Sequence, residues 1–464
     1  MGVAISNWRL ARAVSLAGGL GVVSGTGIDT VLVRRLQDGD EDGHIRRALA
    51  ESPWPVLARD ITARYFRPGG RGAGEPYVRL PTWNAGVRSP RAALAMMGGF
   101  VECWLAKRGH AGRIGVNLLT KAPLPNLPVL YGAMSAGIDV VLMGAGIPRE
   151  VPEALDRMAD HQAAALRGEG VGGTRFDITF DPEWNGPAQA GPLQRPPFFP
   201  VIGAHSLALL MDRKTPGGVE GFVVETAQSG GHSAPPRGAK HLNPDGEPIY
   251  GPRDEVDWQV MRDLGKPFYI AGGYGSRRGL AEALARGAQG VQVGTLFAYC
   301  EESGMAPPLR ERVLAAVRTG PVNVRTDPDA SPTGFPFKVV GVEGTLSEPA
   351  IYAARPRRCD LGYLREAYTD SKGRLRFRCA AEPVQGYVAK GGRAEDTVGR
   401  KCLCNGLMAT AGFAQRIQNG DVEPPILTSG DAVHETRNLM APGHTAYTAR
   451  DVVQYLLAGS GAGV

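Results

Sequence analysis

The chain has 464 residues, long enough for one large domain and a smaller one. Its 43% hydrophobic and 21% charged residues are ordinary for a globular protein. The net charge of +6 is spread along the chain with no basic block carrying interleaved aromatics, which argues against nucleic acid as a partner. No run of about 20 apolar residues is present, so no membrane span is expected. Six Cys in this length do not resemble a secreted disulfide framework, and the expected location is cytoplasmic.

The first 21 residues, MGVAISNWRLARAVSLAGGLG, place Arg9 and Arg12 before an apolar run that Ser15 and three glycines interrupt. This reads as an amphipathic helix leading into a strand, not as a cleaved leader. Val- and Ile-rich runs ending in Gly or small polar residues then recur at 20–24 (LGVVS), 114–118 (IGVNL), 140–144 (VVLMG), 200–204 (PVIGA), 221–225 (GFVVE), 268–272 (FYIAG) and 290–294 (GVQVG). Uninterrupted apolar strands are what a parallel sheet buried on both faces requires. Helical periodicity lies between them, at 152–166 and at 277–286, where Leu280, Ala283 and Leu284 share a face. Alternating strands and helices indicate an α/β fold.

Seven such strands are present where a closed barrel needs eight, and Met1-Gly2-Val3 stands directly before a helix. Either the sequence begins late or the barrel closes in an unusual way. The expected fold is therefore a TIM (β/α)8 barrel over residues 1–342, apparently lacking most of its first strand. Insertions are expected at about 33–109 and 171–200, the second a hairpin built on RFDITF. Residues 343–464 read as a Cys-containing, mainly helical C-terminal region.

The segment ETAQSGGHSAPPRG, residues 225–238, follows a strand and so falls at the carboxyl end of the barrel, where barrel enzymes place their sites. Gly230 and Gly231 permit a sharp turn, and His232 projects from it as a candidate acid–base group. FYIAGGYGS ends a strand in Gly272-Gly273 before a helix, and GVQVGT ends the next strand in Gly294-Thr295. Glycines expose backbone N–H groups, and two such loops after the last two strands suit a phosphate. Asn117, at the end of IGVNL, needs a polar partner that a flavin ring edge would supply. Lys121 could balance a nearby anion. His205, also after a strand, is the second candidate histidine.

IGVNL, VVLMG, the strand before GGH, IAGGYGS and GVQVGT resemble, in this order, the nitronate monooxygenase (2-nitropropane dioxygenase) family, including the enoyl reductases of polyunsaturated fatty-acid synthases. The resemblance covers roughly residues 1–305. It implies an FMN-containing barrel in which His232 acts beside the flavin. Gly272, Gly273, Gly294 and Thr295 would then hold the FMN phosphate, and Asn117 and Gln292 would meet the flavin. Ser229, Gly230 and Gly231 would form the small-residue loop before the histidine. The family's Gly-Met first strand is missing, and SAPPRG after the histidine resembles the longer enoyl-reductase branch.

Three functions compete. The first is an FMN oxidoreductase that oxidises a nitronate or similar carbanion with O2. The second is an enoyl reductase or acyl dehydrogenase with an acyl carrier protein as partner, although no GxGxxG dinucleotide motif follows a strand. The third is a phosphate-binding barrel without redox chemistry. Cys359, Cys379, Cys402 and Cys404 could bind zinc or a cluster if the fold gathers them, but without a CxxC pair they read as buried thiols and no metal is expected. Cys300 reads as core, and RPRR at 355–358 as a solvated basic patch that an acidic carrier could use.

Overall fold

The computed structural model describes residues 2–85, 88–416, 420–441 and 443–458. The strands in chain order are β1 (Gly21–Ser24), β2 (Ile114–Leu119), β3 (Val140–Gly144), β4 (Ala164–Glu169), β5 (Arg175–Phe180), β6 (Phe198–Ile202), β7 (Phe222–Glu225), β8 (Phe268–Ala271), β9 (Gly290–Gln292), β10 (Val324–Asp327), β11 (Phe337–Val340), β12 (Glu366–Thr369) and β13 (Leu375–Arg378). Seven of them form one sheet in the order β1-β2-β3-β6-β7-β8-β9, every pairing parallel. Parallel strands in sequential order, joined by helices, make the curled sheet of a (β/α)8 barrel. All seven strands correspond to the apolar runs of the sequence.

Among the described residues no strand lies between β9 and β1. Among the described residues nothing pairs these two edges directly. Residues 2–6 run beside β1 instead: the Ser24 N–H donates to the Ser6 carbonyl at 2.8 Å, and the Gly304 N–H to that of Ile5 at 2.8 Å. Met1 lies outside the described residues.

Side chains alternate across the sheet, as strand geometry demands. Val140, Leu142, Val201, Val223 and Ala271 pack together as one small cluster. Their neighbours Val141, Met143, Ile202, Val224 and Ile270 join the main core. That core also takes in Leu403, Met408, Ile426 and Val452, so the C-terminal residues share it.

One helix is shorter than its periodicity suggests. It spans Val151–Ala159, and the chain then turns through His161 at φ +56°. Leu155 and Met158 are buried on its inner face, whereas Leu166 is buried on β4, which alternates inward and outward. β4 pairs antiparallel with β5, giving the hairpin that RFDITF suggested. The hairpin meets the β12–β13 hairpin through Phe176 against Phe377, ring centroids 5.8 Å apart, and through Thr174 and Thr369, 3.1 Å apart.

A buried ion pair ties the first insertion to the C-terminal residues. Arg91, on the helix Pro90–Lys107, places Nε 2.7 Å from Asp29 on the helix Ile28–Gln37, with both side chains almost fully buried. Tyr363 donates its hydroxyl to the second Asp29 oxygen at 2.5 Å, and the Arg91 Nη1 group donates to the Leu361 carbonyl at 3.0 Å. Removing one partner strands a buried charge, which costs about 3–5 kcal/mol. Asp29→Ala is expected to lower the free energy of urea unfolding by that amount; a change under about 1 kcal/mol would mean that the pair behaves as a surface salt bridge.

The RPRR segment is not a solvated patch. Arg355 is buried against Glu423, itself buried, and Arg358 approaches the same carboxylate at 4.0 Å. Arg357 donates to the carbonyls of Ala380 and Thr397. The cluster of charges resembles a surface motif in the sequence because its carboxylate lies 65 residues or more downstream. Cys300 is fully buried, as expected of a core thiol. No helix among the described residues is long and apolar enough to cross a membrane.

Candidate active site

A cavity of about 880 Å³ runs through the barrel and is lined by residues at both ends of its strands. Asn117, Ser229, Gly230, Gly231, His232, Gly272, Gly273, Gln292, Gly294 and Thr295 all line it. The ten candidate residues, dispersed over 179 positions of the sequence, thus converge on one space.

The turn after β8 is shaped for close approach. Gly272 and Gly273 have φ of +86° and +78°, a region that L side chains rarely adopt. A Cβ on Gly272 would lie 2.5 Å from the Ser229 and Thr226 hydroxyl oxygens. The turn is held by the Thr226 hydroxyl, which donates to the Gly272 carbonyl at 3.0 Å. After β9, the Gly294 position opens onto empty space. The Thr295 hydroxyl oxygen accepts from the Gly430 N–H at 2.9 Å, leaving its own proton free to donate. The N–H groups of Gly273, Tyr274, Gly294 and Thr295 have no backbone partner among the described residues. The Ser229 hydroxyl is buried with no hydrogen-bond partner there. Unpaired donors at two neighbouring loops make a receptor for an oxyanion such as a phosphate.

His232 sits at the mouth of β7. Its Nε2 is 2.7 Å from the Ser331 hydroxyl, and its ring packs edge-on against Phe337, centroids 5.0 Å apart. The backbone is clamped on both sides: the Lys338 N–H donates to the Gly231 carbonyl at 2.9 Å, and the Ser233 N–H to that of Pro336 at 3.0 Å. The Gly231 N–H donates to the Thr428 hydroxyl at 2.8 Å. Burial, reinforced by nearby positive charge that includes Lys121, lowers the His232 pKa to about 4. The imidazole is therefore neutral at pH 7 and able to accept a proton. Lys121 does not line the cavity; its ammonium lies 4.0 Å from the centre of the Phe335 ring. His205 is also elsewhere, its Nδ1 accepting from the Asp257 N–H at 3.1 Å.

Three residues escape a reading of local sequence. Glu225 ends β7, lines the cavity, and is pushed by burial up to about 7. Its signal was present: an acid closing an apolar strand directly before the GGH turn. Ser331 and Thr428 hold the His232 loop from 99 and 197 residues away in sequence, and no local pattern marks them. Among the described residues, no group of three or more His, Cys, Asp or Glu side chains is arranged to hold a metal ion.

Fold and site together define a barrel whose cavity is shared by a rim of unpaired backbone N–H groups and a half-buried, neutral histidine. Residues 201–323, which carry the GGH turn and both glycine loops, match the nitronate monooxygenase family model. The chain is 37% identical over 109 residues to a probable nitronate monooxygenase of Bacillus subtilis, covering 24% of this chain and 29% of that protein. It is 29% identical over 162 residues to the nitronate monooxygenase of Paraburkholderia phytofirmans, covering 34% and 42%. The chain thus aligns with less than half the length of these relatives. Among solved structures it is similar to FabK from Thermotoga maritima, at 18% identity and a TM-score of 0.45, covering 98% of this chain and 90% of that one.

Proposed function

We propose that the protein is an FMN-dependent oxidoreductase of the nitronate monooxygenase kind, oxidising a nitronate or a similar small carbanion with O2. The observation that carries this reading is the meeting of a phosphate-receptive rim and a neutral, half-buried His232 on one cavity of sufficient size. The donor set suits FMN: the N–H groups of Gly273, Tyr274, Gly294 and Thr295 would meet its phosphate, and the buried Ser229 hydroxyl needs a partner. Asn117 and Gln292 present amides to the cavity beside an apolar wall of Val22, Val140 and Leu142. When bound, FMN supplies the electron-accepting group of the reaction.

His232 takes the α-proton of a neutral nitroalkane, or holds the nitronate in place through a hydrogen bond once the proton has gone. Ser331 holds the ring through its Nε2. Glu225, neutral below about pH 7, provides a half-buried carboxyl that can donate a hydrogen bond to an anion. A second reading, an enoyl reductase, draws on the apolar arm of the cavity formed by Leu364, Leu403, Leu407 and Met408, which would accommodate an acyl chain. Anaerobic mixing separates the two: reduction by a nitronate and not by NADPH supports the first, and reduction by NADPH moves the assignment to the second.

The two titrating groups predict the pH profile. The kcat/KM for nitronate should fall in acid with a midpoint near 4, where His232 takes a proton. A second step near pH 7 belongs to Glu225, and Glu225→Gln should abolish it. Stability should move with the same groups. An unfolded His takes a proton near 6.5 that native His232 refuses until about 4, so the fold weakens as pH drops through that window. Native Glu225 keeps a proton that the unfolded chain releases near 4.5, so its contribution weakens the fold as pH rises from there to about 7. Glu225→Gln is therefore expected to raise the thermal midpoint at pH 8; a variant less stable than the parent there would show that the carboxylate is paired.

A further inference from the structure

Four of the six cysteines, Cys359, Cys379, Cys402 and Cys404, lie in one cluster, of which Cys404 also lines the barrel cavity. Cys379 and Cys402 are its buried centre, and Cys359 and Cys404 pack against them from partly exposed positions. The four are not equivalent. Cys359 precedes the β12–β13 hairpin, Cys379 directly follows it, and both belong to the cluster. The neighbouring Cys379 thiol, opposed by burial and aided by the Arg365 charge, lowers the Cys359 pKa. The same pairing and burial raise Cys379 well above the usual thiol range. Cys402 is raised by burial and accepts from the Asn405 amide at 3.6 Å, and burial raises Cys404 as well. Cys359 is thus partly exposed and thiolate-prone, and the buried Cys379 lies in the cluster it packs against. This is the arrangement of an attacking and a resolving cysteine.

We propose that Cys359 and Cys379 form an oxidisable dithiol that a peroxide converts to a disulfide across the base of the β12–β13 hairpin. The Cys359 thiolate attacks one oxygen of hydrogen peroxide. An S–O bond forms, the O–O bond breaks, and the departing hydroxide takes a proton to become water. The Cys379 sulfur then attacks the Cys359 sulfenic acid. The S–S bond forms, the S–O bond breaks, and the oxygen leaves as a second water with the Cys379 proton. The two sulfurs together lose two electrons, and the peroxide gains them. The disulfide clips the hairpin that packs on β4–β5, and it leaves the second pair, Cys402 and Cys404, reduced.

The test treats the full-length protein with hydrogen peroxide, alkylates the remaining thiols, and maps peptides without reduction. Expected are a linked pair containing Cys359 and Cys379, a loss of two of the six thiols, and recovery of both with dithiothreitol. Cys359→Ser should remove the linked pair. Cys379→Ser should stop the reaction at a Cys359 sulfenic acid that dimedone captures, a result readable on the parent fold if circular dichroism is unchanged. A link through Cys402 or Cys404, six thiols surviving while peroxide is consumed, or a zinc ion that must be chelated before Cys359 reacts would each overturn the proposal.

Discussion

His232→Ala is expected to lower turnover of a nitronate or nitroalkane by about 10²–10⁴, the usual cost of losing a positioned acid–base group, while FMN binding persists. The separation follows from the geometry. His232 lies at the end of β7 and is held by Ser331 and the β11 strand, whereas the phosphate-receptive N–H groups lie after β8 and β9. The loss should be larger with a neutral nitroalkane, which needs a proton removed, than with a preformed nitronate, which needs only orientation. Ser331→Ala should act in the same direction but less strongly, because the imidazole remains and only its orientation is released. Equal effects on both substrates would place His232 in binding alone, and unchanged turnover would remove it from the reaction.

Gly272→Ala is expected to weaken FMN binding by roughly 10- to 100-fold. At φ +86° an alanine carries backbone strain of about 1–2 kcal/mol. Its Cβ would also fall 2.5 Å from two hydroxyl oxygens and 2.9 Å from the Ser229 N–H nitrogen. The turn must then open, carrying the Gly273 and Tyr274 N–H groups away from the phosphate. Each 1.4 kcal/mol of lost interaction is about a factor of ten in Kd. Isothermal titration with FMN measures this directly, and an unchanged Kd would mean that the phosphate sits elsewhere. Gly273→Ala is a milder probe, since the atom it would meet is the end of the flexible Gln228 side chain.

What the sequence revealed follows from the range of the interactions involved. Strand positions were legible because a strand buried on both faces must be continuously apolar, and β1, β2, β3 and β7 show this plainly. The strand β6 begins two residues before its reading, at Phe198, because Pro200 looked like a starting point although it sits within the strand, paired with Met143. The glycine loops were legible because Gly-Gly after a strand signals a turn that few other residues permit. Ser331 and Thr428 were not, since their partnership with the His232 loop depends on tertiary packing across the whole chain. The helical reading of 152–166 ran too far because burial of Leu166 on β4 happens to continue the helix's spacing. Arg355 to Arg358 looked solvated because the carboxylate that neutralises them, Glu423, is distant in sequence.

The absorption spectrum of the purified protein tests most directly for a flavin in this cavity. Flavin bands, present on isolation or restored by FMN and bleached anaerobically by a nitronate, are the predicted result. A protein that stays colourless and takes up no FMN on reconstitution would contradict it.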